Sequence, residues 1–192
     1  MQRQKTQDRQ EAILSVALKL FTERGYFNTS VHDIQKQAQV SIGSIYHHFE
    51  NKEAIAKALF VHIEESMNMV IGRIMKDHST AHDRCKAVIS YFFDTAEQNP
   101  EAMQYMLYAK HQEFMPDEKP VCSSRPFTLM KEMVICGMEN GEIRTMDPNV
   151  AAVLIFGGAI RLIFLRMDGA LENVLSSYLH ECWEGAWRGV KH

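Results

Sequence analysis

The chain has 192 residues, of which 46% are hydrophobic and 23% charged, and its net charge at neutral pH is −3. A disordered chain would carry fewer apolar residues and more net charge, so the composition predicts a folded protein with a small head and a larger body. Residues 1 to 57 carry a net charge of +2 and the remainder −5, a difference that ordinary scatter would also explain.

The first helix is predicted from Gln10 to Arg24, and Gly25 ends it as a residue suited to closing a helix. Its apolar side chains recur at helical spacing: Ile13, Leu14, Ala17, Leu18 and Phe21. The polar residues before it are expected to be frayed. There Arg3, Lys5 and Arg9 could follow a phosphate backbone, although a solvated terminus explains them equally well.

A second, short helix is predicted to start just after Ser30. The Ser30 hydroxyl can accept from the free amides of a first turn, and Asp33, three positions later, completes a capping-box pattern. Three apolar side chains then share one helix face: Val31, Ile34 and Ala38. That face must pack against another element, and the first helix is expected to supply the surface.

A third helix is predicted from Ile42 to Phe49. Val40 fills the turn before it, and Ser41 offers a second N-cap. Ile45 and Phe49 lie one turn apart and form its inner face. The first 50 residues therefore predict a three-helix head.

The opposite face of the third helix has the chemistry of a DNA-reading surface. At about 100° per residue, Gly43 and His47 point away from the inner face, and Ser44 and Tyr46 lie on its flanks. The surface is small at its N-terminal end and polar throughout. Such a helix, roughly 10 Å long, can enter a DNA major groove about 12 Å wide.

The fourth helix begins with the features of a phosphate site. Asn51 can cap it, and Lys52 lies in its first turn beside free backbone amides, which together bind phosphate well. Its apolar pattern continues for about 24 residues without a proline: Ile55, Leu59, Ile63, Met67, Val70 and Ile74. One long helix is therefore expected to leave the head and enter the body.

This region resembles a known family. The helix-turn-helix signature of the TetR family of bacterial transcriptional regulators is similar to the run Val40-Ser41-x-Gly43-x-Ile45-Tyr46-x-His48-Phe49-x-Asn51-Lys52-Glu53. Two positions depart from the family pattern: Gln35 stands where a small residue is common, and Gln39 where glycine usually makes the turn. A non-glycine residue at positive φ carries some strain. The resemblance implies an all-helical homodimer that binds DNA through its head and a small molecule through its body.

The predicted DNA-binding residues divide by role. Ser30, Tyr46 and Lys52 are expected to fix register on phosphates, while Ser44, His47 and His48 read base edges. The full set is Ser30, Ser41, Ile42, Gly43, Ser44, Tyr46, His47, His48 and Lys52. We predict a DNA-binding domain at residues 1–51 and a ligand-binding and dimerisation domain at residues 52–192.

The rest of the body is predicted to contain five further helices, for about nine in all. They cover Ala81 to Gln98, a helix from Glu101, Phe127 to about Met138, Pro148 to about Met167, and Leu171 to Arg188. The segment from Met115 to Pro126 holds three prolines and is predicted to be the longest loop.

The eighth predicted helix is apolar nearly all round from Val150 to Ile160, so it needs partners on every side. A second copy, packing its last two helices into a four-helix bundle, supplies them, and the family resemblance implies the same homodimer. The alternative is a central helix buried within a monomer. The predicted interface residues are Leu154, Gly157, Gly158, Arg161, Leu175, Leu179, Cys182 and Ala186.

Large, adaptable side chains on three successive body helices suit an irregular apolar pocket for an effector. They are Phe92, Phe93, Met103, Tyr105, Met106, Tyr108, Phe127 and Met130. An ordinary helical core rich in methionine would look the same residue by residue. The family resemblance favours a pocket, but nothing in the sequence names its ligand.

No Gly-rich phosphate loop, nucleophile elbow, HExxH or CxxC motif occurs, so neither an enzyme nor a cofactor is expected. A metal or redox sensor is a rival, since His180 and Cys182 flank Glu181 and His111 lies beside the predicted loop. Ligands two apart on a helix point in different directions, so a surface imidazole and a buried thiol explain the pair better, and no metal site is predicted.

The scattered cysteines indicate a reducing cytoplasm with free thiols. They are Cys85, Cys122, Cys136 and Cys182. Arg161 and Arg166 interrupt the apolar run well short of the roughly 20 residues that a membrane span needs, so no membrane partner is expected.

The sequence therefore predicts a cytoplasmic, sequence-specific DNA-binding regulator. It is expected to bind an inverted repeat in double-stranded DNA as a homodimer and to act as a repressor released by a small apolar or amphipathic ligand. Activation instead of repression stays open. The alternative is a ligand carrier that does not bind DNA, or a metal or redox sensor, either of which would act through protein contacts.

Overall fold

The structure, a computed structural model, describes residues 2–118 and 120–192, with the side chains of residues 2–7 and 122 outside the described part. The expectations for Arg3, Lys5 and Cys122 thus lie outside the described side chains. Over the described residues the chain forms ten α-helices and no β-sheet beyond an isolated bridge of Ile143 with Lys191, which confirms the all-helical prediction. The helices are α1 (Gln2–Arg24), α2 (Val31–Ala38), α3 (Ile42–His48), α4 (Lys52–Asp77), α5 (Ala81–Gln98), α6 (Pro100–Tyr108), α7 (His111–Phe114), α8 (Arg125–Glu139), α9 (Pro148–Met167) and α10 (Leu179–Arg188).

Two differences from the predicted helices lie at the start of α1 and in the predicted loop. α1 begins at Gln2, because the residues before Gln10 are mostly good helix formers with no glycine or proline among them. The segment that was predicted to be one long loop contains a 3-10 turn at Val121–Ser123 and is preceded by the short helix α7.

The predicted last helix was wrong over its first half. Leu175–Tyr178 forms a 3-10 turn, and α10 begins only at Leu179. The Arg166 guanidinium donates to the Leu171 carbonyl at 3.0 Å, and the Glu97 carboxylate accepts the Leu175 amide at 2.9 Å. These bonds hold the segment between α9 and α10 in a turn.

The chain divides into two compact units. Unit 1 comprises residues 1–65 and 101–121, and unit 2 comprises residues 66–100 and 122–192. The domain boundary was predicted after residue 51, whereas the two compact units divide α4 between residues 65 and 66.

Unit 1 has a core of side chains from α1 to α4, α6 and α7. Its fully buried members include Ile13, Leu20, Ile34, Ile45, Ile55 and Tyr105. The Tyr105 hydroxyl donates to the Ala56 carbonyl at 3.0 Å, and Lys57 forms an ion pair with Glu118. The segment containing α6 and α7 is therefore fastened to the first half of α4 by polar bonds as well as by packing.

The end of α1 is closed as predicted, with help from a residue that the sequence did not single out. Gly25 has φ +83°, and its amide bonds to the Phe21 carbonyl. Thr29 is buried, and its hydroxyl, which has one proton to donate, lies 3.0 Å from the Gly25 carbonyl and 3.3 Å from the Leu20 carbonyl. A hydrogen bond shared between these acceptors helps to satisfy the carbonyls at the end of α1.

Unit 2 packs α5 against α8 and α9, with α10 against both α5 and α9. α8 lies close to the start of α5 at Gly137, where an added Cβ would lie 2.7 Å from the Ala81 Cβ. The Glu142 carboxylate accepts the amides of Ala81 and His82, at 2.9 and 3.2 Å, and so caps α5. A bidentate ion pair joins Arg166 to Glu97.

By length and composition alone α9 is apolar enough to cross a membrane. The sequence-based estimate was shorter because it stopped at Arg161. One such helix is weak evidence for a membrane span, and 28% of its apolar window is buried inside the structure, on a stripe formed by Ala151, Ile155, Phe156, Ala159 and Ile163.

Candidate functional site

The N-terminus of α2 has the predicted capping box. The Ser30 hydroxyl accepts the Asp33 amide at 3.1 Å, and the Ser30 amide donates to the Asp33 carboxylate at 2.8 Å. Hydrogen bonds from Ser30 hold the pKa of the Asp33 carboxyl below its usual value. The start of α2 is thereby fixed by its own side chains.

The turn between α2 and α3 explains both departures from the family pattern. Gln39 adopts the left-handed conformation, with φ 54° and ψ 37°, at the place where glycine is usual. The Gln35 side-chain amide donates to the Val40 carbonyl at 2.8 Å and spans the turn. A small residue at position 35 could not make this bond, so the long side chain supports the strained turn.

α3 follows the predicted division into an inner and an outer side. The Ser41 hydroxyl accepts the Ser44 amide at 3.1 Å and caps the helix. Ile45 is fully buried, and Phe49 is 4% exposed. Both therefore anchor α3 in unit 1, as expected.

The outer side of α3, here called the α3 face, consists of Gly43, Ser44, Tyr46, His47 and His48. Tyr46 is 55% exposed and His47 is exposed. A Cβ added at Gly43 would meet no atom of another described element within 4 Å. The surface is open for close approach by a partner.

The two histidines of the α3 face differ. Their ring centroids lie 5.2 Å apart, with His48 half-buried. Burial, and to a lesser extent the positive charges of His47 and Arg9, lowers the pKa of His48. Burial therefore favours the neutral imidazole of His48, in which one ring nitrogen accepts while the other donates.

The structure agrees with the role predicted for Asn51 and gives Lys52 a different one. The Asn51 side chain accepts the Ala54 amide at 2.8 Å, as expected of a helix cap. The Lys52 ammonium, predicted to contact phosphate, donates to the carbonyls of Tyr26 and Thr29, each at 2.9 Å, and lies 4.0 Å from the centre of the Tyr26 ring. Burial lowers the pKa of Lys52. In the structure this side chain braces the turn between α1 and α2.

The eight predicted pocket residues are distributed over both units. Phe92, Phe93 and Met130 are buried in unit 2, where Phe127 is half-buried. In unit 1, Met103, Tyr105 and Met106 are buried and Tyr108 is exposed. Tyr105 and Tyr108 line a cavity of about 380 Å³ within unit 1.

His111 is a residue that sequence reasoning missed as a buried group. It is 6% exposed, and neither ring nitrogen has a hydrogen-bond partner among the described residues. The rings of Phe60, Tyr105 and Phe114 surround it, with centroids 4.9 to 5.7 Å from its own. Burial in this apolar surrounding lowers its pKa to about 4.

A second open surface lies on α9 and is here called the α9 face. Its members recur at helical spacing: Val150, Val153, Leu154, Gly157, Gly158 and Arg161. Val150 is 53% exposed, Val153 67% and Leu154 42%. Such contiguous apolar exposure marks an interaction surface.

The predicted interface on the last helix needs one correction. Leu175 is fully buried inside unit 2, because it lies on the 3-10 turn that Glu97 holds. Leu179, Cys182 and Ala186 lie on α10 and are half-buried. The Sγ of Cys182 would lie 3.9 Å from a Cβ added at Gly158, so α9 and α10 are close neighbours there.

The rival of a metal sensor gains no support from the described side chains. Among them, no group of three His, Cys, Asp or Glu residues lies close enough to hold a metal ion. His180 is exposed, and Cys182 is half-buried with its pKa raised by burial.

Comparison with known proteins gives consistent matches. The family profile described as bacterial regulatory proteins, tetR family, matches residues 13–59. The fatty acid metabolism regulator protein of Bacillus subtilis is 30% identical over 152 residues, which cover 76% of each chain.

Solved structures extend the match to nearly the whole chain. A TetR family transcription regulator from Marinobacter aquaeolei has a TM-score of 0.82 at 18% identity, covering 98% of both chains. The transcriptional regulator FadR from Bacillus subtilis, in complex with stearoyl-CoA, has a TM-score of 0.75 at 26% identity, covering 93% of this chain and 98% of that one. The first of these concerns the fold alone.

Proposed function

Because this chain belongs to the TetR family of bacterial transcription regulators, we propose that it is a cytoplasmic repressor that binds an inverted-repeat operator as a homodimer. The chain is a DNA-binding regulator with a helix-turn-helix head. The observation that carries the proposal is the α3 face, which is exposed, small at Gly43 and polar elsewhere on a helix anchored by Ile45 and Phe49.

The α3 face supplies the proposed base contacts. The Ser44 hydroxyl and the imidazoles of His47 and His48 offer donors and acceptors to base edges in the major groove. Gly43 is exposed and has no side chain, so the helix can approach the bases closely at this position.

Ser30 and Ser41 flank this face. Together with Tyr46 of the face itself they are proposed to contact the phosphate backbone, with Ile42 beside them in the first turn of α3. Lys52 is proposed to stabilise the DNA-binding head and not to contact phosphate as its main role. Since its ammonium already binds two carbonyls, we assign it to holding the turn before α2, with at most one donor left for a phosphate.

The α9 face supports the homodimer. Two copies that bury this face against each other, with α10 of each beside it, would form an isologous four-helix contact. The glycines at 157 and 158 permit close approach of a second backbone, and Arg161 ends the apolar stripe. Two heads on successive major grooves would then read half-sites about 34 to 36 Å apart.

The proposed effector is amphipathic. FadR, at 26% identity, was crystallised in complex with stearoyl-CoA, so a long-chain acyl-CoA thioester is the first compound to test. Operator binding measured by fluorescence anisotropy should weaken with added stearoyl-CoA and stay unchanged with free coenzyme A. Equal effects of both compounds, or none, would remove the acyl chain from the proposal.

The regulator proposal is tested by selection from random-sequence duplex DNA, repeated at two salt concentrations. An enriched inverted repeat that survives the higher salt is the expected result, because base contacts persist while phosphate contacts weaken. Binding that is unselective and lost with salt would instead favour a ligand carrier acting through protein contacts.

A further inference from the structure

The cavity in unit 1 lies among the C-terminal end of α1, the turn that follows it, α6 and α7. Its volume of about 380 Å³ is at the lower end of the range for small-molecule sites. Six aromatic rings contribute to its wall: Phe21, Tyr26, Phe27, Tyr105, Tyr108 and Phe114. Such a volume suits a compact molecule better than a long acyl chain.

Three of these rings already contact one another. Tyr26 and Phe114 stack with centroids 4.1 Å apart and planes 13° from parallel, and Phe27 meets both rings edge-on at 86°. Phe27 is nevertheless 65% exposed and Tyr108 39% exposed. Aromatic surface of this kind gains from a flat partner that removes it from water.

These exposed rings are not scattered over unit 1. The large hydrophobic side chains exposed in its described part are Phe27, Tyr46, Val61 and Tyr108. Tyr46 belongs to the α3 face and Val61 is an isolated valine on α4. The other two line the same cavity, and this clustering separates them from ordinary surface residues.

The polar groups at the cavity favour a ligand without net charge. Lys110 and Glu113 form an ion pair at 3.1 Å, so the rim carries compensating charges. Gln104 contributes a side-chain amide whose nitrogen is 3.5 Å from the Thr22 carbonyl, a long and weak hydrogen bond. An amide can offer both a donor and an acceptor to the edge of a ligand.

We propose that this cavity is a binding site for a planar, uncharged aromatic molecule of two or three fused rings, which stacks beside Phe27 and Tyr108 and pairs its polar edge with Gln104. The site goes beyond the proposed operator binding and acyl effector, and its test requires neither of them.

Occupancy of the site reaches the DNA-binding head through Tyr26. Its ring lines the cavity and also lies under the Lys52 ammonium, which binds the carbonyls of Tyr26 and Thr29 just before the Ser30 cap of α2. A ligand that fixes Tyr26 therefore also fixes the entry to α2. Amide hydrogen exchange at residues 26–31 should slow by several-fold when the cavity is filled.

The probe is 2-naphthol, titrated into the full chain and followed by calorimetry, with decahydro-2-naphthol as a saturated control of similar shape. One site per chain is expected, with a Kd on the order of 0.1 to 1 mM for so small a ligand. The saturated control should bind at least about 5-fold more weakly, because it lacks the flat π face that stacks. Equal binding of both compounds, or no saturable binding, would overturn the proposal.

Two variants locate the probe. Ala109→Trp places a ring in the cavity from its wall, in a segment outside the helices, and should abolish binding. Phe27→Ala removes an exposed ring and should weaken binding about 2- to 10-fold without a large loss of stability. The matched control, Val61→Ala, removes an exposed side chain of the same unit that does not line the cavity and should leave binding unchanged.

Circular dichroism of each variant identifies any that fails to fold, and Phe27→Ala then decides alone. Wild-type affinity retained by a folded Ala109→Trp variant, or by Phe27→Ala, would place the probe elsewhere. Naphthol that binds with unchanged exchange at residues 26–31 would contradict the link to α2.

Discussion

The α3 face and the α9 face are both exposed, and they differ in nearly every other respect. The first is short, belongs to unit 1 and offers hydroxyls, imidazoles and a bare glycine. The second extends along a 20-residue helix of unit 2 and offers valines, a leucine and glycines, with arginine only at its end. One surface suits a polar partner with many hydrogen-bonding groups, and the other suits an apolar one.

The difference shows that exposure alone indicates where a partner can bind, whereas the side chains of the surface determine which kind of partner binds there. A face with donors and acceptors gains little from another protein face unless every group is paired, whereas the base edges of DNA can pair with them. An apolar face can be buried against a copy of itself, because an isologous contact covers the same face on both copies at once. Each face can therefore be disabled without touching the other.

The largest expected effect is on the α9 face, with Gly158→Arg. Within the described part of the chain, the contact that a Cβ at this position would make is with the Cys182 Sγ at 3.9 Å, so the protomer accommodates the first atom. The guanidinium, however, would enter the proposed dimer contact. We expect a folded monomer in analytical ultracentrifugation, with operator affinity lowered about 100-fold or more through loss of bivalent binding.

The matched control for Gly158→Arg is Val174→Arg, which adds the same charge at an exposed apolar residue of unit 2 outside the α9 face. It should remain dimeric. A Gly158→Arg variant that is dimeric at low concentration would move the interface away from α9.

The next effect acts beneath the α3 face. Lys52→Ala removes two charge-assisted hydrogen bonds to the turn before α2 and a contact with the Tyr26 ring. We expect unit 1 to lose about 2 kcal/mol of stability. Binding should weaken to a similar degree for specific and unrelated DNA, because the support of the whole head is loosened.

Lys52→Met is the informative companion, since it keeps the apolar stem and removes the charge. Hydrogen exchange by mass spectrometry in α1 to α3 measures the loss, and α9 provides the internal reference. If Lys52→Ala left exchange in the head unchanged but flattened the salt dependence of DNA binding, the side chain would be a phosphate contact as first predicted.

Acid should destabilise unit 1, which contains the α3 face, more than unit 2, which contains the α9 face. The cause is the buried His111 of unit 1. Because burial lowers its pKa to about 4, the unfolded chain binds the proton first as the pH falls below about 6.5. The stability that neutral His111 contributes is fully present above pH 6.5, is lost between pH 6.5 and 4, and does not change further below pH 4. This single group should cost unit 1 about 2 kcal/mol between pH 7.5 and 5.

His111→Phe tests this by removing both ring nitrogens, which have no partner in the described part of the chain, from among the surrounding aromatic rings. Exchange in unit 1 at pH 5 should become slower than in the wild type, with a smaller gain at pH 7.5. His180→Ala, at an exposed histidine of unit 2, should show no such difference. A pH dependence that is unchanged in His111→Phe would place the acid sensitivity elsewhere.

The features predicted well from the sequence are those that depend on near neighbours. The bounds of α5, the Ser30 and Asp33 capping box and the buried pair Ile45 and Phe49 all follow from residues within a few positions, whereas the left-handed Gln39 was implied by the family resemblance. Helical periodicity and capping chemistry act at this range, so one sequence contains the needed information.

The features missed depend on distant residues. The acceptors of Lys52 lie 23 and 26 positions earlier, and the carboxylate that holds Leu175 lies 78 positions earlier. The aromatic cavity joins the end of α1 to α6 across a similar separation, as the Gln104 contact with Thr22 illustrates. No local pattern distinguishes a lysine that braces a turn from one that meets a phosphate.

The smallest expected effect is the most specific one, on the α3 face. His47→Ala removes one imidazole from the exposed side of the helix and leaves the buried side intact. We expect a loss of roughly 1 kcal/mol in discrimination at one base pair of each half-site, because a single ring offers fewer bonds than a bidentate side chain. Affinity for unrelated DNA and the dimer should not change.

Competition binding with operators that carry single base changes measures this discrimination. The control is His32→Ala, which removes an exposed histidine of α2 outside the predicted contact set. Equal losses over all base positions would mean that His47 contacts the backbone and not a base. The α3 face would then be read through Ser44 and His48, and the comparison with the α9 face would still hold, because one surface would still require hydrogen-bonding partners and the other apolar burial.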